Sequence, residues 1–301
     1  MGPLAIRDLG TGQMIVELDG FCSFSQLSPD PPEEQGDCRQ FPEQPFAFLG
    51  WLVAWAPDGQ RIAAANAAQS HGALASWDVA TGDIVHTRDL GSGVTVWDML
   101  FTRNGRHIIA TVIEEGSPTT IEVIDADSWE VVSETEVDPS VSGSGRLGLV
   151  GFTTDGHLLA IGAWRGPGTP ALHWIDPDAM RVERSRDRIH EGVPRVGAMS
   201  PDGTLVATGA TDGLVRVWST ETGELLHQIP FRDASAQAVS FIDDDHLVIG
   251  TGGGEALVMT IDTEELLDVV GDSLTRGLTP IECERFNFGD DCPTLAETRS
   301  S

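Results

Sequence analysis

Short runs of alternating apolar and polar residues occupy most of this chain, and they come in pairs around turn signatures. Val196-Gly197-Ala198-Met199 precedes Ser200-Pro201-Asp202-Gly203, and Leu205-Val206-Ala207-Thr208 follows it. Ala238-Val239-Ser240-Phe241 leads in the same way into Ile242-Asp243-Asp244-Asp245, and Leu158-Leu159-Ala160-Ile161 follows Thr153-Thr154-Asp155-Gly156. A period of two marks strands. Asp-Gly or Asn-Gly between two such runs marks a hairpin, because the turn needs residues that tolerate positive φ.

The hairpins repeat along the chain. Ala56-Pro57-Asp58-Gly59, Thr102-Arg103-Asn104-Gly105, Thr153-Thr154-Asp155-Gly156, Ser200-Pro201-Asp202-Gly203 and Ile242-Asp243-Asp244-Asp245 hold equivalent places, with last residues 46, 51, 47 and 42 apart. A third strand and a second turn follow in each unit, as in Ala75-Ser76-Trp77-Asp78 with Thr81-Gly82, or Val215-Arg216-Val217-Trp218 with Thr222-Gly223. A fourth strand comes next, for example Glu224-Leu225-Leu226-His227. Four antiparallel strands in about 40–50 residues make one blade of a β-propeller, so the fold class is all-β.

The fifth unit, counting a half unit at the start as the first, carries His190-Glu191-Gly192, Ala207-Thr208-Gly209-Ala210-Thr211-Asp212-Gly213 and Val215-Arg216-Val217-Trp218. With these residues the chain resembles a WD40-type propeller. The resemblance implies a hydrogen-bonded structural tetrad of His190, Thr208, Asp212 and Trp218; the other units keep the turns and have lost most of the tetrad.

The expected organisation is a half blade at 1–19 holding only third and fourth strands, a Pro-rich insert loop at 20–48, five complete WD40-like blades at 49–271, and a capping tail at 272–301. An open blade edge exposes unpaired backbone groups, so the half blade implies upstream residues that complete it, an unusual closure, or an edge paired with another chain. In the tail, Thr279, Pro280 and Glu282 read as an N-cap, a first-turn proline and a capping box, which predicts a short C-terminal helix. This stretch, ending in Cys292-Pro293, resembles the segment that closes the C-terminal propeller of large bacterial signalling proteins and multidomain transcriptional regulators.

Charge narrows the partners. The 301 residues hold 47 Asp and Glu against 18 basic side chains, a formal net charge of −29, and every one of those basic side chains is arginine. Without lysine there is no Schiff base and no phosphate-loop motif. So negative a surface repels nucleic acid and anionic membrane, which leaves a neutral or basic protein or peptide, or upstream domains of the same polypeptide. The N-terminus has no basic region followed by an apolar stretch, and the longest apolar run, Phe46 to Ala56, is far short of the roughly 20 residues a bilayer span needs, so the expected location is cytoplasmic.

Candidate chemistry is sparse. The eight His are spread through the blades with no metal-site spacing, so no metal and no cofactor are expected. Gly143-Ser144-Gly145-Arg146-Leu147-Gly148 fits G-x-G-x-x-G but leads into a strand, whereas the dinucleotide fingerprint opens a helix. Asp243-Asp244-Asp245 and Asp290-Asp291 lack the alternating ligands of a calcium loop and read as solvated turns. Arg181, Arg184, Arg186, Arg188 and Arg195 cluster along and after one outer strand as a candidate patch for an acidic partner, opposed by Glu183, Asp187 and Glu191, which neutralise it. Trp55 and Trp97, on first strands near the channel, are the aromatic candidates for the same interaction surface. Cys22 with Cys38 and Cys283 with Cys292 form two local pairs, disulfides in an oxidising compartment and thiols in a reducing one.

The expected function is a non-catalytic protein-interaction scaffold or sensor, the C-terminal part of a larger bacterial regulator. The alternatives are a propeller enzyme of the metal-dependent lactonase or hydrolase type, and an extracytoplasmic binding module.

Overall fold

The computed structural model describes residues 5–7, 13–17, 50–66, 72–114, 116–142, 146–163, 168–230, 236–262 and 265. The insert, the tail with its predicted helix, all four cysteines and the first half of the G-x-G-x-x-G stretch, Gly143 to Gly145, lie outside the described residues.

Four sheets have four antiparallel strands each, in chain order. The first blade is β3 (Gly50–Trp55), β4 (Arg61–Asn66), β5 (Gly72–Asp78) and β6 (Ile84–Gly91). The second is β7 (Val94–Phe101), β8 (His107–Glu114), β9 (Thr119–Asp125) and β10 (Val131–Glu136). The third is β11 (Leu147–Phe152), β12 (Leu158–Gly162), β13 (Ala171–Asp176) and β14 (Arg181–Asp187); the fourth is β15 (Pro194–Met199), β16 (Leu205–Ala210), β17 (Leu214–Ser219) and β18 (Leu225–Pro230). A fifth sheet has three strands among the described residues, β19 (Ala236–Phe241), β20 (His246–Thr251) and β21 (Ala256–Thr260), and β1 (Ala5–Arg7) pairs with β2 (Met14–Glu17) as a hairpin. A four-residue helix, α1 (Pro139–Ser142), links the second blade to the third; nothing in the strand pattern signalled it.

The first strands β3, β7, β11, β15 and β19 neighbour one another in succession, which makes them the inner strands of consecutive blades. Each of the five carries one bulge, at Trp51, Trp97, Val150, Arg195 and Gln237. An extra residue in one strand locally increases its twist, as inner strands that splay around an axis require.

The core lies between blades. Leu158 and Ala160 of β12 pack with Ile109 and Ile121 of the second blade, whereas Leu159 and Ile161 pack with Val206 and Trp218 of the fourth. A strand covered on both faces is apolar at every position, and β12 is buried throughout. The outer strands β10 and β14 are exposed along nearly their whole length. At the other end of the series Val16 of β2 packs against the cluster of Ile62, Ala64 and Trp77 in the first blade.

Candidate functional site

The fourth blade brings four polar side chains together in its core. His190 stands just before β15, Thr208 in the middle of β16, Asp212 in the turn to β17, and Trp218 on β17. That turn is tight because Gly213 takes a φ of 77°, which lets the Asp212 carboxylate fold back over the blade. Asp212 accepts from His190 Nδ1 at 3.0 Å, Thr208 Oγ1 lies 2.8 Å from His190 Nε2, and Trp218 Nε1 donates to Thr208 Oγ1 at 2.9 Å. With the proton assigned to Nδ1, the chain runs from Trp218 through the threonine hydroxyl and the imidazole to the carboxylate.

Charge is balanced around this chain. Asp212 also accepts from the Glu191 and Leu214 backbone N–H groups and from Arg216 Nη1 at 3.1 Å, while Arg216 donates to Ile189 O at 2.8 Å. Burial pushes the His190 imidazole below its ordinary value, so it is neutral near pH 7. Burial opposes ionisation of Asp212, but the contacts with His190 and Arg216 outweigh it and hold the carboxyl below its usual range.

The order hydroxyl, imidazole, carboxylate is that of a hydrolase triad. Here the hydroxyl is fully buried and is closed off by the indole N–H, so no substrate reaches it. The arrangement links the segment just before β15 to β16, to the turn after it and to β17.

Other blades fill the same places differently. Where Thr208 faces Arg216 across the ladder, the first three blades set Ala64 opposite Ala75, Ala110 opposite Glu122 and Ala160 opposite His173. Trp77, Ile124 and Ile175 stand where Trp218 does. Glu122 is paired with Arg88 of the preceding blade at 2.8 Å, and His173 Nδ1 bonds Ser185 Oγ at 2.8 Å, with burial pushing its pKa down.

The arginines and tryptophans of the expected interaction surface do not converge. Trp55 is the last residue of β3 and Trp97 the bulged residue within β7; Arg181, Arg184, Arg186 and Arg188 lie on or just after β14, and Arg195 lies on β15. Arg184 is committed inside the fold, donating to the Thr220 and Glu221 carbonyls of the fourth blade with its guanidinium 4.0 Å over the Trp174 ring. Trp174 Nε1 donates to the same Thr220 carbonyl at 2.8 Å. Carbonyl oxygens, rather than the carboxylates counted from the sequence, take up this charge. Trp97 is likewise covered, by the Arg146 guanidinium 4.0 Å above its ring.

Two features had no clear signal in the sequence. Trp129 occupies the turn between β9 and β10 with a φ of 60°, at a place held by Gly82 and Gly223 in the first and fourth blades. Its ring is buried and stacks on His86 of the first blade at 5.6 Å, a contact that holds a non-glycine residue in the left-handed region. Arg61, at the start of β4, reaches the Ala126 carbonyl and the Asp127 carboxylate of the second blade. The turn aspartates are also engaged: the Thr81 N–H holds the Asp78 carboxyl below its usual range, and Asp244 accepts from the Asp202 N–H. Among the described residues no group of three or more His, Cys, Asp or Glu is placed to hold a metal ion, and no helix is long and apolar enough to cross a membrane.

Blades in series, with inner strands side by side and a polar cluster inside one of them, make the fold that of a β-propeller. Residues 189–219, the segment that carries this cluster, match the family described as WD domain, G-beta repeat. A stretch of 101 residues, 32% of this chain and 13% of the relative, is 33% identical to ribosome biogenesis protein erb1 of Botryotinia fuckeliana. Another, of 77 residues, is 36% identical to eukaryotic translation initiation factor 3 subunit I of Phaeosphaeria nodorum, covering 25% of this chain and 23% of that one. The human U5 small nuclear ribonucleoprotein 40 kDa protein is 33% identical over 60 residues, 20% of this chain and 17% of its own. The chain thus spans less than a quarter of each of these relatives.

Proposed function

We propose that this propeller is a non-catalytic scaffold that binds protein or peptide partners. The observation that carries the reading is the cluster of the fourth blade: its hydroxyl, imidazole and carboxylate stand in the order of a triad, but the hydroxyl is buried and already accepts from the Trp218 indole. Two of the relatives bear the names of assembly components, a subunit of an initiation factor and a protein of a small nuclear ribonucleoprotein, which supports a role in assembly here. The net charge of −29 favours neutral or basic partners.

The finer reading is a cytoplasmic sensor or docking propeller that ends a larger bacterial regulator, its β1–β2 hairpin standing as the half blade ahead of five blades. It rests on the resemblance of the tail sequence. The proposed roles of His190, Thr208, Asp212 and Trp218 as the structural tetrad belong to the same reading.

Peptide display against the whole chain tests the scaffold role. Binders that are neutral or basic, with no turnover of ester, lactone or phosphodiester substrates by the same preparation, are expected. Saturable turnover that chelators abolish, with no peptide selected, would contradict it.

A further inference from the structure

Five blades place a residue at the start of the second strand, directly after the first hairpin: Arg61, His107, His157, Leu205 and His246. In the third blade His157 lies between two carboxylates, with Nδ1 3.0 Å from Asp155 of the hairpin and Nε2 3.0 Å from Glu183 of the outer strand. In the fifth, His246 Nδ1 lies 2.8 Å from Asp243 of the hairpin, and Nε2 lies 3.0 Å from Glu265, beyond β21. His157 therefore reaches from its hairpin to the outer strand of its blade, and His246 from its hairpin to Glu265 after β21.

The outer residue is matched to this use. Glu183 is the bulged residue of β14, the extra one between the pairs that Arg184 and Val182 make with β13. The equivalent bulges on β6, β10 and β18 are Val85, Val132 and Leu226, all exposed. Those blades begin their second strand with Arg61, His107 and Leu205. Among these four outer strands the bulge carries a carboxylate only on β14; on β10 it carries Val132, although His107 stands at the start of the second strand there.

We propose that His157 and His246 are proton-operated clasps, the first fastening the outer strand of the third blade and the second fastening Glu265, after β21, to the first hairpin of their blades. A doubly protonated imidazole donates to both carboxylates at once, whereas a neutral one donates to a single partner. The charged groups facing His157 are Asp155 from the hairpin, Asp176 from β13, and Glu183 with its neighbour Arg181 from β14. Those facing His246 are Asp243 and Glu265. The contacts with the Asp155 and Glu183 carboxylates, and with that of Asp243, raise both imidazoles above their ordinary value. A raised value stabilises the fold fully below the unfolded value, and that contribution is lost as pH rises through the folded one. The two clasps therefore loosen on going from mildly acidic to mildly alkaline conditions.

A titration of the imidazole Cε1–H resonances of the whole chain from pH 5 to 9 tests this, with assignments from H157N and H246N. Two midpoints above 6.5, belonging to His157 and His246, are expected. E183Q should lower the His157 midpoint and leave that of His246 in place, and E265Q should do the reverse. Midpoints at or below 6.5 in the unaltered protein, or a His157 midpoint indifferent to E183Q, would overturn the proposal; the first result stands whether or not a variant folds.

Discussion

The second and fourth blades share a strand order and a register, yet they close their centres by different chemistry. In the fourth, Thr208, Trp218, His190 and Asp212 form one hydrogen-bonded chain. In the second, Ala110 and Ile124 occupy the threonine and tryptophan places, and packing alone fills them. The difference teaches why a degenerate repeat still folds. Losing a donor and its acceptor together leaves nothing unpaired, whereas losing one of them strands the other at the full desolvation cost. A blade thus drifts from polar to apolar by paired changes, and its turns, which depend on backbone φ, persist.

The largest effect should come from Trp218→Ala. It removes a buried ring and the donor to Thr208, and we expect a loss of about 3–5 kcal/mol in urea unfolding. A loss below 1 kcal/mol would mean that the ring is not held as the network requires.

Next, the same substitution made in two blades sharpens the contrast. Thr208→Val keeps the shape, deletes the hydroxyl and strands both the Trp218 N–H and His190 Nε2, a cost of about 1–3 kcal/mol. Thr111→Val in the second blade deletes a hydroxyl whose bond to the Asp98 carbonyl is long, 3.4 Å, and should cost less than about 1 kcal/mol. Equal losses by calorimetry would erase the distinction.

Smaller again is the joint between the third and fourth blades. Arg184→Ala gives up two carbonyl contacts and the stacking on Trp174 and should cost about 1–2 kcal/mol. Arg181→Ala, on a side chain 72% exposed and 3.5 Å from Glu183, should change stability by less than about 0.5 kcal/mol.

The smallest expected effect is one of direction with pH. His190 has a folded pKa below its ordinary value, so its contribution is present above about 6.5 and is lost as pH falls. His157 and His246 run the other way. Replacing His190 with Asn should therefore flatten the loss of stability below pH 6.5, read as urea midpoints from pH 5 to 8. A steeper loss would reverse the assignment.

Much of this architecture was legible in the sequence because its signals are local. The hairpins at Asp58-Gly59 and Asp202-Gly203 depend on residues that accept positive φ, and the apolar run Leu158-Leu159-Ala160-Ile161 announces a strand covered on both sides. Other features were illegible because they depend on distant partners. Trp129, like Met180 in the third blade, takes a glycine's conformation in its turn, and its partner His86 comes from another blade. Counting charges along β14 set the arginines against Glu183, Asp187 and Glu191, but Arg184 is taken up by carbonyl groups of the next blade, and carbonyls leave no trace in composition. The His157 and Glu183 pair, 26 residues apart, depends on a bulge that no alternation pattern reveals.

The most direct test of the central claim is a double-mutant cycle on Thr208→Ala and Trp218→Ile, which writes the second blade's pair into the fourth. If the four side chains act as one network, the double variant should be less destabilised than the sum of the two single losses by about 1 kcal/mol or more. Losses that add to within about 0.5 kcal/mol would show two independent sites and contradict the account.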